Sequence, residues 1–210
     1  EKYALCGSLI YQFGPNEKEI ILPSTLSTIG DGAFIGILSN RATVAEVIGE
    51  KINGIGSNTH IKKIIFRSND QLSAIPFSCF AGIGVTGPAK SQGTLLQLDL
   101  SELTNLTSIG DYAFQYAGMD IGGEIKLPKD VRTIGRGCFY EFVFTGDFTI
   151  PASVEEIGDY AFIGPSASSY KKINISSENG SKLLFVGNNV FGAITIVDLS
   201  NSTSLVSVGD

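Results

Sequence analysis

Apolar and polar residues alternate over short stretches that recur along the chain. "IIL" at 20–22, "IIF" at 64–66, "LQLDL" at 96–100, "EIKL" at 124–127, "FTI" at 148–150, "KINI" at 172–175 and "VDL" at 197–199 each carry such a pattern. A period of two predicts strands buried on one face. Downstream of each strand comes a second apolar point, an Ile-Gly or Val-Gly step. The copies are Ile29-Gly30, Ile109-Gly110, Ile134-Gly135, Ile157-Gly158, Val186-Gly187 and Val208-Gly209, with Ile75-Pro76 as a variant. Phe34, Phe80, Phe114, Phe139, Phe162 and Phe191 close the copies at intervals of 46, 34, 25, 23 and 29 residues. A unit of about two dozen residues that cannot bury its apolar face alone must stack on its neighbours.

The spacing within a unit takes two main values. From the last inward strand residue to the anchor isoleucine or valine the count is seven where proline follows the strand (Leu22, Leu127, Ile150). It is nine where a polar residue follows (Phe66, Leu100, Leu199). Proline cannot donate a ladder hydrogen bond, so it ends strand pairing. Glycine at the anchor predicts a bend with positive φ. The aspartate after it (Asp31, Asp111, Asp159) predicts a helix N-cap opening a short helical turn. The small residue before each phenylalanine (Ala33, Cys79, Ala113, Cys138, Ala161) leaves room for the ring to enter a core. The expected fold is an α/β solenoid of about seven stacked units, with parallel strands and short helical turns, forming one domain over residues 1–210.

The pattern I-x-[IL]-P-x-x-V-x-x-I-G-x-x-A-F is nearly complete in "IKLPKDVRTIGRGCF" (125–139) and "FTIPASVEEIGDYAF" (148–162). It resembles the BspA-type leucine-rich repeat, and the resemblance runs from about Glu19 to the end of the chain. Members of that family are mostly bacterial surface or secreted proteins, with relatives in some parasitic protists, and several act as adhesins. The resemblance therefore implies a protein-binding module at the cell surface. One departure follows the Ala-Phe step. The family commonly has a small-Gly-Cys step and a leucine there, whereas this chain has "IGILSN", "QYAGMD", "YEFVFT" or "IGPSAS".

Composition narrows the function without naming it. At 43% hydrophobic and 17% charged, with thirteen Phe, the chain can bury a substantial core. A net charge of −6 argues against nucleic acid or an anionic membrane as partner. No run of apolar residues is long enough to span a bilayer. The chain opens at Glu1 without an initiator Met and stops at "SVGD", short of its own Ala-Phe, as expected of a trimmed chain or a piece with a truncated last repeat. Residues 1–18 read as an amino-terminal cap or partial repeat.

Catalytic and metal chemistry find little support. His60 is the only histidine, which excludes Ser-His-Asp and Cys-His arrangements and His-rich metal sites. "GIGVTGPAKSQG" at 82–93 lacks phosphate-loop spacing. Cys79 and Cys138 hold the same repeat position two turns apart, roughly 10 Å at the strand spacing, which is too far for a disulfide. Both are expected as buried thiols, with Cys6 outside the repeats. Sequons stand at Asn105, Asn174, Asn179 and Asn201, and carry meaning only in a eukaryotic secreted setting. No cofactor is called for.

The outward positions of the strands form the candidate binding surface: Glu19, Lys63, Gln97, Asp99, Glu124, Lys126, Asp147 and Lys172. Glu124 and Asp147 are expected on adjacent turns at about 5 Å, near the separation of a retaining glycosidase pair. Lys126 and Lys172 nearby, and no predicted aromatic to hold a sugar, make a solvated mixed-charge face the plainer account. Three segments are not explained by stacking. "TVAEVIGEKI" within the 35–62 insertion has helical spacing and predicts a short flanking helix. Residues 81–95 and 164–172 are expected as loops on one edge, a usual place for recognition. The resemblance, with no catalytic constellation and loops grouped on one edge, implies a non-catalytic protein-binding module, an adhesin toward host extracellular-matrix or microbial surface proteins, extracellular or at the cell surface. The chain is expected as a monomer. Alternatives are a structural spacer and, more remotely, a carbohydrate-active enzyme using Glu124 and Asp147.

Overall fold

The computed structural model describes residues 19–34, 63–82, 85–86, 92–93, 95–117, 119–142, 147–164, 172–192, 194 and 196–210. The cap at 1–18, the helix expected within 35–62, His60, Cys6 and most of the 164–172 loop lie outside them. In chain order the strands are β1 (Glu19–Leu22), β2 (Lys63–Phe66), β3 (Ala74–Ile75), β4 (Val85–Thr86), β5 (Gln92–Gly93), β6 (Leu95–Asp99), β7 (Ser108–Ile109) and β8 (Met119–Lys126). They continue as β9 (Thr133–Ile134), β10 (Phe148–Ile150), β11 (Glu156–Ile157), β12 (Lys172–Ile175), β13 (Phe185–Val186), β14 (Ile196–Asp198) and β15 (Ser207–Val208).

These strands build a parallel-strand β-solenoid. Its front wall is a parallel sheet of order β1-β2-β6-β8, four successive turns, followed by a second sheet of order β10-β12-β14. The Ile-Gly steps form another wall, the six-stranded parallel sheet β15-β13-β11-β9-β7-β3. Only β4 and β5, in the 81–95 segment, pair antiparallel among the described strands. Inward residues lie in register from turn to turn: Ile64 opposes Leu98, which opposes Ile125, and Ile75, Ile109, Ile134 and Ile157 form one line. The four isoleucines of that line are at most 1% exposed.

Between the walls runs a column of rings. Phe34, Phe80, Phe114, Phe139, Phe162 and Phe191 stack with centroids 5.1, 5.4, 5.5, 5.3 and 6.2 Å apart and planes within 12° of parallel. Offset stacking at such distances is favourable for aromatic quadrupoles, and each ring removes roughly 150 to 250 Å² from water. Cys79 and Cys138 sit fully buried beside this column as free thiols.

The two spacer lengths correspond to two turn designs. After proline a single turn suffices, with Leu26 N–H donating to Pro23 O and Val154 N–H to Pro151 O. After a polar residue two turns follow in series: Leu103 N–H donates to Leu100 O, then Leu106 N–H to Leu103 O. Ser202 and Leu205 repeat that pair on Leu199 and Ser202.

The expected helical turn is replaced by a sideways-bonded arc, and the described residues contain no helix. Phe114 N–H reaches Cys138 O at 2.9 Å and Phe139 N–H reaches Ala161 O at 2.8 Å, each one turn ahead. Tyr112 N–H likewise donates to Arg136 O and Tyr160 N–H to Asn188 O. Donors spent on the neighbouring turn cannot close an i→i−4 helix. The arc is bent by a left-handed residue two places after the anchor position: Gly32, Ser78, Tyr112, Gly137, Tyr160 and Asn189 have φ between 49° and 61°. Positive φ thus falls on this position and not on the anchor glycine.

Candidate interaction surfaces

The predicted binding residues occupy the front wall. Glu19, Lys63, Gln97 and Glu124 align in one row across β1, β2, β6 and β8, and Asp99 opposes Lys126 in the next row. Asp147, exposed, precedes β10, and Lys172 opens β12 opposite Ile196. β8 and β10 belong to different sheets, so no described strand pairing joins the row of Glu124 to that of Asp147.

Several of these charges are already engaged. Lys126 Nζ lies 3.8 Å from Asp99 Oδ2, while Asp99 Oδ1 accepts from Ser101 N–H and Oγ–H at 3.0 and 2.5 Å. The same device recurs near the carboxyl-terminal end. Lys172 Nζ is 3.2 Å from Asp198 Oδ2, and Ser200 donates its N–H and Oγ–H to Asp198 Oδ1. The Ser200 bonds first, then Lys172, hold the Asp198 carboxyl down at about 2. The front wall therefore carries locally neutralised pairs as well as Asn174, whose amide donates to Thr149 Oγ1 at 2.6 Å. Asn105 and Asn201, also in sequons, donate to backbone carbonyls of the preceding turn, Asp70 O and Ile175 O.

The second wall holds a feature that the outward-strand reading missed. A groove of about 610 Å³ runs along the solenoid axis over β7, β9, β11, β13 and β15. Its floor is the strip Gly110, Gly135, Gly158 and Gly187. A Cβ at Gly135 would lie 2.6 Å from Asp111 N, one at Gly158 2.5 Å from Arg136 N, and one at Gly187 2.6 Å from Asp159 N. Glycine is demanded there by the backbone of the preceding turn, so the strip has no side chains. One rim is the outward row Ser108, Thr133, Glu156, Phe185 and Ser207, in register across the five strands. Its signal in the sequence is the residue before each Ile-Gly or Val-Gly step.

The other rim is the residue after each glycine. Asp111 Oδ1 accepts from Arg136 N–H at 2.8 Å, Asp159 Oδ1 from Asn188 N–H at 2.7 Å, and Asn188 Oδ1 from Asp210 N–H at 3.1 Å. Asp111 and Asp159, expected as helix N-caps, instead serve the next turn. Arg136 interrupts the relay, its guanidinium lying 5.5 Å from the centroid of the Tyr160 ring. Beyond this rim, Phe77 meets Tyr112 edge-on and Tyr116 meets Tyr140 likewise. Burial, then Tyr140 and Glu141, push the Tyr116 hydroxyl up to about 12. Burial also raises the Cys79 and Cys138 thiols well above their ordinary range, with Asp31 and Asp111 adding to it. Among the described residues no three His, Cys, Asp or Glu side chains gather as a metal site, and no helix is long and apolar enough to cross a membrane.

The repeat unit is itself diagnostic. Residues 10–86 and 91–210 match the model of the BspA type Leucine rich repeat region, in six copies. The chain belongs to the BspA-type leucine-rich repeat family. No curated protein and no solved structure matches it. Leucine-rich repeats generally mediate protein binding, and this family is generally a non-catalytic repeat module that is commonly surface-associated in bacteria. The ladders of this BspA-type chain are of the kind such a role needs, since each presents one side chain per turn at fixed spacing.

Proposed function

We propose that this chain is a non-catalytic protein-binding module of a bacterial cell-surface or secreted protein, acting as an adhesin toward host extracellular-matrix or microbial surface proteins. Residues 1–210 form one solenoid domain of about seven stacked units, counted as one front strand plus one Ile-Gly step each, and the domain works as a monomer. The observation that carries the reading is the register of the front wall. Asp99 with Lys126, and Thr149 with Asn174 and Asp198, hold polar groups in line at the strand spacing. An array with a repeat of about 4.8 Å suits an extended protein surface better than a small molecule in a closed pocket. Glu19, Lys63, Gln97, Asp99, Glu124, Lys126, Asp147 and Lys172 make up the proposed contact face.

The test is binding of the immobilised chain to a panel of extracellular-matrix proteins at two ionic strengths, with Asp99→Lys and Lys126→Glu beside the parent. Salt-sensitive binding that either reversal weakens supports the adhesin reading. No binding to any member, or binding unmoved by both substitutions and by salt, removes it and favours a structural spacer.

A further inference from the structure

The groove on the glycine strip lies on a different wall from the proposed contact face, and its chemistry is more selective. Among the described residues its ionisable lining is Asp111, Glu156 and Asp159 against Arg136. The Arg136 charge is drawn toward the Tyr160 ring. Glu156 is exposed and takes part in no salt bridge or side-chain hydrogen bond among the described residues. With three carboxylates to one guanidinium the lining is net negative, and such a cleft concentrates positive charge. Next to Glu156 in the same row stands Phe185, 46% exposed in spite of its size.

The floor sets the shape of the occupant. Because Gly110, Gly135, Gly158 and Gly187 cannot bear a Cβ, the strip stays bare and a main chain can lie close upon it. From β7 to β15 there are four strand spacings, or about 19 Å, which about six residues of extended polypeptide would cover. We propose that this groove binds an extended, lysine- or arginine-bearing polypeptide segment, with a basic side chain at Glu156 and Asp159 and an apolar one against Phe185. The segment lies along the solenoid axis, across the strands. The proposal rests on the chain being a protein-binding module, but it uses residues that the front wall does not.

The probe is a dye-labelled octapeptide of alternating Lys and Val, compared with its Glu-Val counterpart by fluorescence anisotropy on the full chain. We expect the Lys-Val peptide to bind at least tenfold tighter. Glu156→Lys should weaken it at least fivefold and Phe185→Ala at least threefold. Glu178→Lys, the same charge change on an exposed turn away from the groove, should leave it within twofold. Both groove side chains are exposed, and circular dichroism melts of each variant check the fold. Equal affinity for the two peptides, no binding of either, or equal weakening by Glu156→Lys and Glu178→Lys overturns the groove assignment. Failure of the Lys-Val peptide to bind, beside matrix-protein binding that Lys126→Glu weakens, would overturn the groove assignment while leaving the adhesin reading intact.

Discussion

Phe114 and Phe139 lie face to face, 5.5 Å between centroids and 7° from parallel, although they belong to different repeats. Phe139 also stacks on Phe162, meets Phe142 edge-on and Phe148 at a tilt, so at least four aromatic rings surround it. Truncating it removes a fully buried ring whose cavity cannot collapse between rigid ladders.

Phe139→Ala should therefore cost about 3–5 kcal/mol, read from denaturant midpoints. Phe191→Ala, at the looser and partly exposed end of the column, should cost clearly less. Equal losses would mean that the column is not the continuous core described.

Gly158→Ala should be destabilising by about 1–3 kcal/mol through the collision with Arg136 N. Gly180→Ala provides the contrast, since its φ is +78° but nothing lies within 4 Å of an added Cβ. It should cost about 1–2 kcal/mol, from the left-handed backbone alone. In a structure of the two variants, only the first should shift the neighbouring turn.

Arg136→Asn should stabilise the fold. The introduced asparagine would offer Asp159 N–H the acceptor that Asp159 already offers Asn188, worth about 0.5–1.5 kcal/mol against a cation–π contact worth about 0.5–1. Asp159→Ala should act in the opposite direction by about 0.5–1.5 kcal/mol. Thermal melts of the pair give both signs.

Asp198 supplies a pH test. Its carboxyl is held at about 2 in the fold against an ordinary value near 3.8. A lowered carboxylate pKa contributes stability that is fully present above the unfolded value and is lost as pH falls from about 4 through about 2. Ser200→Ala should move the Asp198 titration, followed by NMR, up toward the ordinary value. Lys172→Ala should move it less.

Cys79 and Cys138 should resist alkylation in the native protein and react only on unfolding. Burial both blocks access and disfavours the thiolate that alkylating agents need. Labelling of either thiol without denaturant, measured by mass spectrometry, would contradict their place beside the ring column.

The strands, the phenylalanine column and the two spacer lengths were legible because each follows from alternation or close recurrence. The arc after the anchor was not, since Gly-Asp-Tyr-Ala-Phe reads locally as a capped helical turn. Its amide groups are claimed by Arg136 and Cys138, about 25 residues further on, and short-range patterning cannot show lateral competition for a donor. Gly135 was found, but for the wrong reason: contact with Asp111 of the preceding turn requires it, not its own φ. The groove left little trace, because Glu156 and Phe185 sit on two-residue strands with hardly any alternation to read.

The acceptor relay from Asp111 to Arg136, Asp159 to Asn188 and Asn188 to Asp210 always points toward the carboxyl terminus. A unit with Asp or Asn after its glycine thus has a plug on one side and a socket on the other. Any unit can receive such a bond, because a main-chain N–H is always present, but only one with Asp or Asn after its glycine can pass it on. Units of this chain are therefore not interchangeable parts: the Arg136 unit can end a relay but cannot sit within one, and shuffling repeats would change cohesion according to which unit follows which.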